Sequence, residues 1–218
     1  MKTLNNVIDI YSRRAKDYDR QPPLQFITED IKKLNKNLQE CRYFYTQIKE
    51  EGIILYNSGK HQLARKRKLN YQEIKQQVEE YFNEKFEKGN FFLDDAISNR
   101  EKGRYQMASF YLHQATENYF YAIRLVFTLQ NAKQHNLYKL LGSVKQYYDE
   151  FVKVFPCNND EEERLFELLK SAYVDGRYNP DFLVTKEDID ALVLKVELLR
   201  DITKGVCEER VGEYGEKK

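Results

Sequence analysis

Between Tyr105 and Leu129 the apolar positions recur every three or four residues: Ala108, Leu112, Ala115, Tyr119, Ala122, Val126 and Leu129. That spacing predicts one face of a helix of about seven turns. Alanine at three of the positions lets another helix backbone come close, and the intervening aromatics fill volume. A second stripe runs beside the first. His113, Glu117, Tyr121 and Arg124 follow steps of four, four and three, which places a titratable, hydrogen-bonding line next to the apolar one. A helix this aromatic reads as the central packing element of a helical bundle.

Similar stripes surround it. Leu4, Ile8, Tyr11, Ala15 and Tyr18 predict a first helix, ended at Gln21-Pro22-Pro23 because the residue before a proline leaves the α region. Thr28, Glu29 and Asp30 read as the start of a second, carrying Ile31, Leu34 and Leu38. Tyr43–Glu51 predicts a short helix closed by Gly52 in the left-handed cap conformation. Ile53-Ile54-Leu55-Tyr56 is the one compact β-like run, bounded by Gly52 and Asn57-Ser58-Gly59. It is either an extended connector or a strand whose partner lies outside the chain.

Beyond residue 70 the helices lengthen. Tyr71, Ile74, Val78, Phe82 and Phe86 form a stripe that Phe92 and Ala96 continue past Gly89. After a turn at 131–134, Leu137, Leu140, Val144, Tyr147 and Phe151 predict one helix, stopped by Phe155-Pro156, with His135 as its cap. Asp160–Glu163 suits the first turn of the next, where four acids complement the helix dipole. Thr185 and Asp188 are spaced as a capping box before a last helix with Ile189, Leu192, Val196, Leu199, Ile202 and Val206. The expected fold is mainly α, an up-and-down bundle over 69–212, preceded by a small α-rich segment (1–68) holding at most one or two short strands. A polar tail, 213–218, is expected to fray.

Charge adds an asymmetry. Residues 1–68 hold 15 Lys/Arg against 8 Asp/Glu and residues 69–218 hold 21 against 27, so net charges of +7 and −6 face each other along the chain. The basic excess peaks at Arg65, Lys66, Arg67 and Lys68. Such a run is a solvated linker or a low-specificity contact to nucleic acid. Cys41, Cys157 and Cys207 lack CxxC spacing, which implies reduced thiols. No stretch approaches the ~20 apolar residues of a membrane span, and the first 20 residues hold no apolar leader core. The expectation is a cytoplasmic protein without membrane contact.

No phosphate-binding glycine loop, HExxH or GxSxG occurs, and the three histidines show no metal-ligand spacing, so neither a cofactor nor a metal is expected. The candidate ligand-binding residues are the polar groups set in apolar surroundings: His113, Glu117 and Arg124 on the central helix, and Tyr173, Asp175, Arg177 and Tyr178 near a helix end. An arginine flanked by tyrosines suits a bidentate anion contact or an internal salt bridge to Glu117 or Asp175. His113 reads as a hydrogen-bonded core histidine.

SFYLHQATENYFYAIRLVF, KQHNLYKLL and LFELLKSAYVDGRYNPDF, in that order, resemble the motifs of the HEPN family over roughly residues 71–210. The resemblance is to the branch fused to, or encoded beside, a nucleotidyltransferase, and CRYFYTQIKEEGIILYNSGK looks like the closing helix and strand of that partner fold. It implies a helical bundle, frequent homodimers, and nucleotide or RNA binding. Two departures bear on activity. Ribonuclease members carry an arginine, four to six residues, then a histidine; here Arg177 is followed by YNPDFLVTKE and no histidine occurs after His135. A nucleotidyltransferase needs a Gly-Ser turn and paired aspartates for its metals, and residues 1–60 lack the turn while Asp17 and Asp19 fall in a helical pattern. The expectation is therefore a non-catalytic nucleotide- or RNA-binding, or partner-docking, module with a truncated nucleotidyltransferase remnant. The alternatives are a degenerate ribonuclease drawing a histidine (His113 or His135) from another helix, and a purely structural oligomerisation module.

Overall fold

The computed structural model describes residues 27–131 and 135–216; the helix expected over 4–18, Asp17, Asp19 and most of the 131–134 turn lie outside them. Among the described residues every regular element is an α-helix. The chain divides into two units, Met1–Arg67 and Lys68–Lys218.

In the first unit, α1 (Ile31–Gln39) is capped by Asp30, whose carboxylate accepts from the Lys32 and Lys33 amides. Cys41, at φ 55, turns the chain into α2 (Tyr43–Glu51). The Asn35 side chain then brackets the returning segment, donating to the Gln62 carbonyl at 3.0 Å and accepting from the Ala64 amide at 2.7 Å. Gly52 is extended (φ −74, ψ 148), not left-handed. Ile53–Tyr56 forms no strand, because no described residue offers a ladder to join.

The second unit is the bundle. It opens with the capping box of Asn70 and Glu73 on α3 (Tyr71–Glu101). Gly103, at φ 68, supports the tight turn into α4 (Tyr105–Thr128), which Leu129 closes in the left-handed region at φ 56. Then come α5 (Leu137–Val144), α6 (Glu150–Val154), α7 (Asp160–Ser171), α8 (Asp175–Tyr178) and α9 (Lys186–Glu216). The central position expected of α4 is observed. It packs along α3 and α9 on one side and meets α5, α7 and α8 on the other. Ala108, Leu112, Ala115, Tyr119, Ala122 and Val126 have no solvent exposure. Gly89 explains how closely α3 approaches: a Cβ there would lie 2.5 Å from Cε1 of Tyr119.

The helix expected from Leu137 through Phe151 is broken instead. Its backbone tightens at Val144, where the Tyr147 amide donates to the Val144 carbonyl at 2.9 Å. The break lets Tyr147 stack on Phe127 with ring centres 4.5 Å apart, while Phe151 still reaches the core. Of the 213–218 tail expected to fray, residues 217 and 218 lie outside the described residues. Helix α9 continues to Glu216, where the Tyr214 ring holds the Arg210 guanidinium at 4.8 Å. The capping box at Thr185 forms as expected, with the Asp188 amide donating to Thr185 Oγ1 at 3.1 Å and the Thr185 amide to Asp188 Oδ2 at 3.0 Å. Arg164 of α7 also pairs with Asp188, joining two helix starts. No described helix is long and apolar enough to cross a membrane.

Candidate functional site

The second stripe of α4 points its polar groups at the segment joining α7 to α8. His113 is almost wholly buried, and its Nδ1–H donates to the Leu169 carbonyl at 2.9 Å. That bond leaves Nε2 as a buried lone pair with no hydrogen-bond partner among the described residues. Burial pushes the imidazole down to about 4, with the positive charges of His135 and Arg177 adding to the effect against the Leu169 carbonyl. His113 is therefore neutral under ordinary conditions.

One turn on, the buried Glu117 carboxylate accepts from His135 Nδ1–H at 2.8 Å. Burial raises its pKa, and the hydrogen bonds from His135 and Tyr121 pull it back. His135 is 64% exposed at its side chain, and its Nδ1 is committed to Glu117. His135 does not cap α5: Asn136 does, its side chain accepting from the Lys139 amide.

Tyr173 joins the parts. The His135 ring lies parallel to it at 5.7 Å and the His113 ring is tilted against it at 5.3 Å. The Arg177 guanidinium sits 4.5 Å from its ring centre, 4.9 Å from Phe110 and 4.8 Å from Tyr178. Arg177 Nε donates to the Tyr173 carbonyl at 2.8 Å. The salt bridge expected from Arg177 to Glu117 or Asp175 is absent: Glu117 faces His135, and the Asp175 carboxylate lies 3.4 Å from the Asn179 amide nitrogen. Among the described residues no carboxylate pairs with Arg177. Its backbone is held close to α4 by Gly176, where a Cβ would lie 3.0 Å from the Gln106 carbonyl. The result is an exposed guanidinium on an aromatic platform, whose two terminal nitrogens bond to no other described residue and suit a bidentate anion.

A model of the HEPN domain matches residues 82–206, more than half the chain. The chain belongs to the HEPN family. A search of curated proteins finds no match.

Seen as a HEPN bundle, the structure brings His113, Glu117, Tyr173, Arg177 and Tyr178 together. Asp175 sits beside them without joining by an ion pair. Arg124, further along the same stripe, keeps its Nε buried, with no hydrogen-bond partner for it among the described residues. Arg65–Lys68 are exposed in the chain leading to α3, where Lys66 pairs with Glu50. Among the described residues no group of His, Cys, Asp and Glu is arranged to hold a metal ion. Phe110 and the Glu117–His135 pair were not legible as site components. Tyr121 was legible from its place in the stripe, but the contact to His135 crosses a turn that periodicity does not reach.

Proposed function

We propose that this HEPN protein is a binding module for a nucleotide or RNA, with Arg177 gripping phosphate and Tyr178, which is 72% exposed, offering a ring for a base. The observation that carries this reading is the Arg177 guanidinium, paired with no described carboxylate and held by the Tyr173 carbonyl and three aromatic rings. An arginine built for internal ion pairing would have used one of the carboxylates nearby. Calorimetry with AMP and with a short single-stranded RNA tests it: Arg177→Ala weakens binding by about tenfold or more while the helical circular dichroism stays unchanged. If the wild-type chain gives no heat with either probe, the reading fails.

The Glu117–His135 pair favours a second reading, a ribonuclease whose proton-transfer group comes from the start of α5 instead of following Arg177. A buried carboxylate orienting an exposed imidazole is the arrangement general acid–base catalysis uses. Labelled RNA incubated with wild type and His135→Ala separates the two. Loss of cleavage in the variant supports the enzyme, and no cleavage by wild type removes it. His113→Ala run alongside tests the buried imidazole, which its neutral state suits to a structural role.

Around this site the wider reading is a homodimeric, cytoplasmic protein working with a nucleotidyltransferase-type partner. Residues 1–68 are then the remnant of such a fold, 69–212 the HEPN bundle, and Arg65–Lys68 a sequence-independent phosphate contact. What supports it is the resemblance of CRYFYTQIKEEGIILYNSGK to the end of that partner fold, and the charge asymmetry along the chain.

A further inference from the structure

Ile53, Ile54, Leu55 and Tyr56 are 85, 69, 93 and 83% exposed. Four consecutive large apolar residues left in water are rare on a folded surface and mark interaction sites. Between Gly52 and Asn57 the chain is neither helical nor turned, and none of the four residues bonds to another described residue. The segment is bounded at one end by extended Gly52 and at the other by an Asn57 turn, where the Gly59 amide donates to Asn57 Oδ1 at 2.9 Å. It therefore has the length and punctuation of a short strand.

The pattern says what kind of strand. In an extended chain alternate side chains point to opposite faces. Ile53 and Leu55 would share one face and Ile54 and Tyr56 the other, so both faces are apolar. A strand on a half-solvated sheet alternates apolar with polar; one apolar on both faces belongs to a sheet covered on both sides. No described residue of this chain lies in a strand. A second copy of the same segment would give only a two-stranded ribbon, marginally stable and with both faces still wet.

We propose that Ile53–Tyr56 is a docking strand that adds to the open edge of a β-sheet in a partner protein, one whose sheet is covered on both faces. Main-chain amides and carbonyls supply the ladder, and the four side chains enter the layers above and below it. The inference does not rest on the Arg177 site.

The full chain carrying benzoylphenylalanine at position 55 is expressed in its native cells and irradiated, and the crosslinked peptides are sequenced by mass spectrometry. The captured protein is then purified and its binding to wild type, Ile54→Val and Ile54→Lys measured by interferometry. The expected result is a crosslink to an edge strand of one partner, binding weakened at least tenfold by Ile54→Lys and little changed by Ile54→Val, with unchanged circular dichroism. Four results each overturn the proposal: no crosslink, a crosslink to a second copy or to residues 1–26 of the same chain, a crosslink to a surface that is not a sheet edge, or undiminished binding of Ile54→Lys.

Discussion

Acid should destabilise this bundle in part through one imidazole. His113 is buried on α4 against the Leu169 and Lys170 backbone, the Tyr173 ring, and the charges of His135 and Arg177. Its pKa falls from 6.5 to about 4 on folding. The unfolded chain therefore binds a proton between those values that the folded chain refuses. A group whose folded pKa is depressed leaves stability intact above its unfolded value and removes it as pH falls towards the folded one. A drop from 6.5 to about 4 corresponds to about 3 kcal/mol, a large share of a domain's ordinary 5–15 kcal/mol. Glu117 works in the opposite direction: its raised pKa makes the folded state take up a proton earlier, so its protonation favours the fold as pH falls. The two are separated by His113→Gln, whose amide can still donate to the Leu169 carbonyl but does not titrate in this range. Urea unfolding followed by far-ultraviolet circular dichroism, at intervals from pH 7.5 to 4, is the assay. Wild type should lose about 3 kcal/mol more than His113→Gln over that range. Parallel pH profiles for the two proteins would refute the assignment of a buried neutral imidazole.

The same substitution should have opposite signs at two glycines. Gly89→Ala gains about 1 kcal/mol of helix propensity but drives a methyl to 2.5 Å from the buried Tyr119 ring, so a net loss of about 1–2 kcal/mol is expected. Gly205→Ala, inside α9 with nothing within 4 Å of the new Cβ, should raise stability by about 0.5–1 kcal/mol; thermal melts of both variants check the pair. Asp188→Ala removes a cap and the partner of Arg164 together and should cost about 2–3 kcal/mol, whereas Asp188→Asn should cost less because the amide keeps the cap; urea midpoints distinguish them. Arg177→Lys should recover only part of the nucleotide binding lost in Arg177→Ala, since an ammonium cannot make the paired, planar contact; calorimetry with AMP reads the difference.

Periodicity was enough for α3, α4, α7 and α9, because each carries a long apolar stripe, and two of them begin on recognisable residues, the acids at 160–163 and Thr185 with Asp188; the Asn70–Glu73 box that opens α3 came only with the structure. The same repeat ran through Leu137–Phe151 and was overridden there, since the stacking of Tyr147 on Phe127 and the burial of Phe151 are met better by a broken helix. The second stripe of α4 announced that His113, Glu117 and Tyr121 share a side; it carried no information about what faces them. Only the packing of α5, α7 and α8 against that side decided that Glu117 takes His135, that Leu169 fixes the His113 tautomer, and that Arg177 is left to aromatic rings instead of a carboxylate. Local chemistry is written in spacing, which the chain fixes residue by residue. Pairing across helices depends on which groups reach each other first when the core closes, and that is a property of the whole bundle.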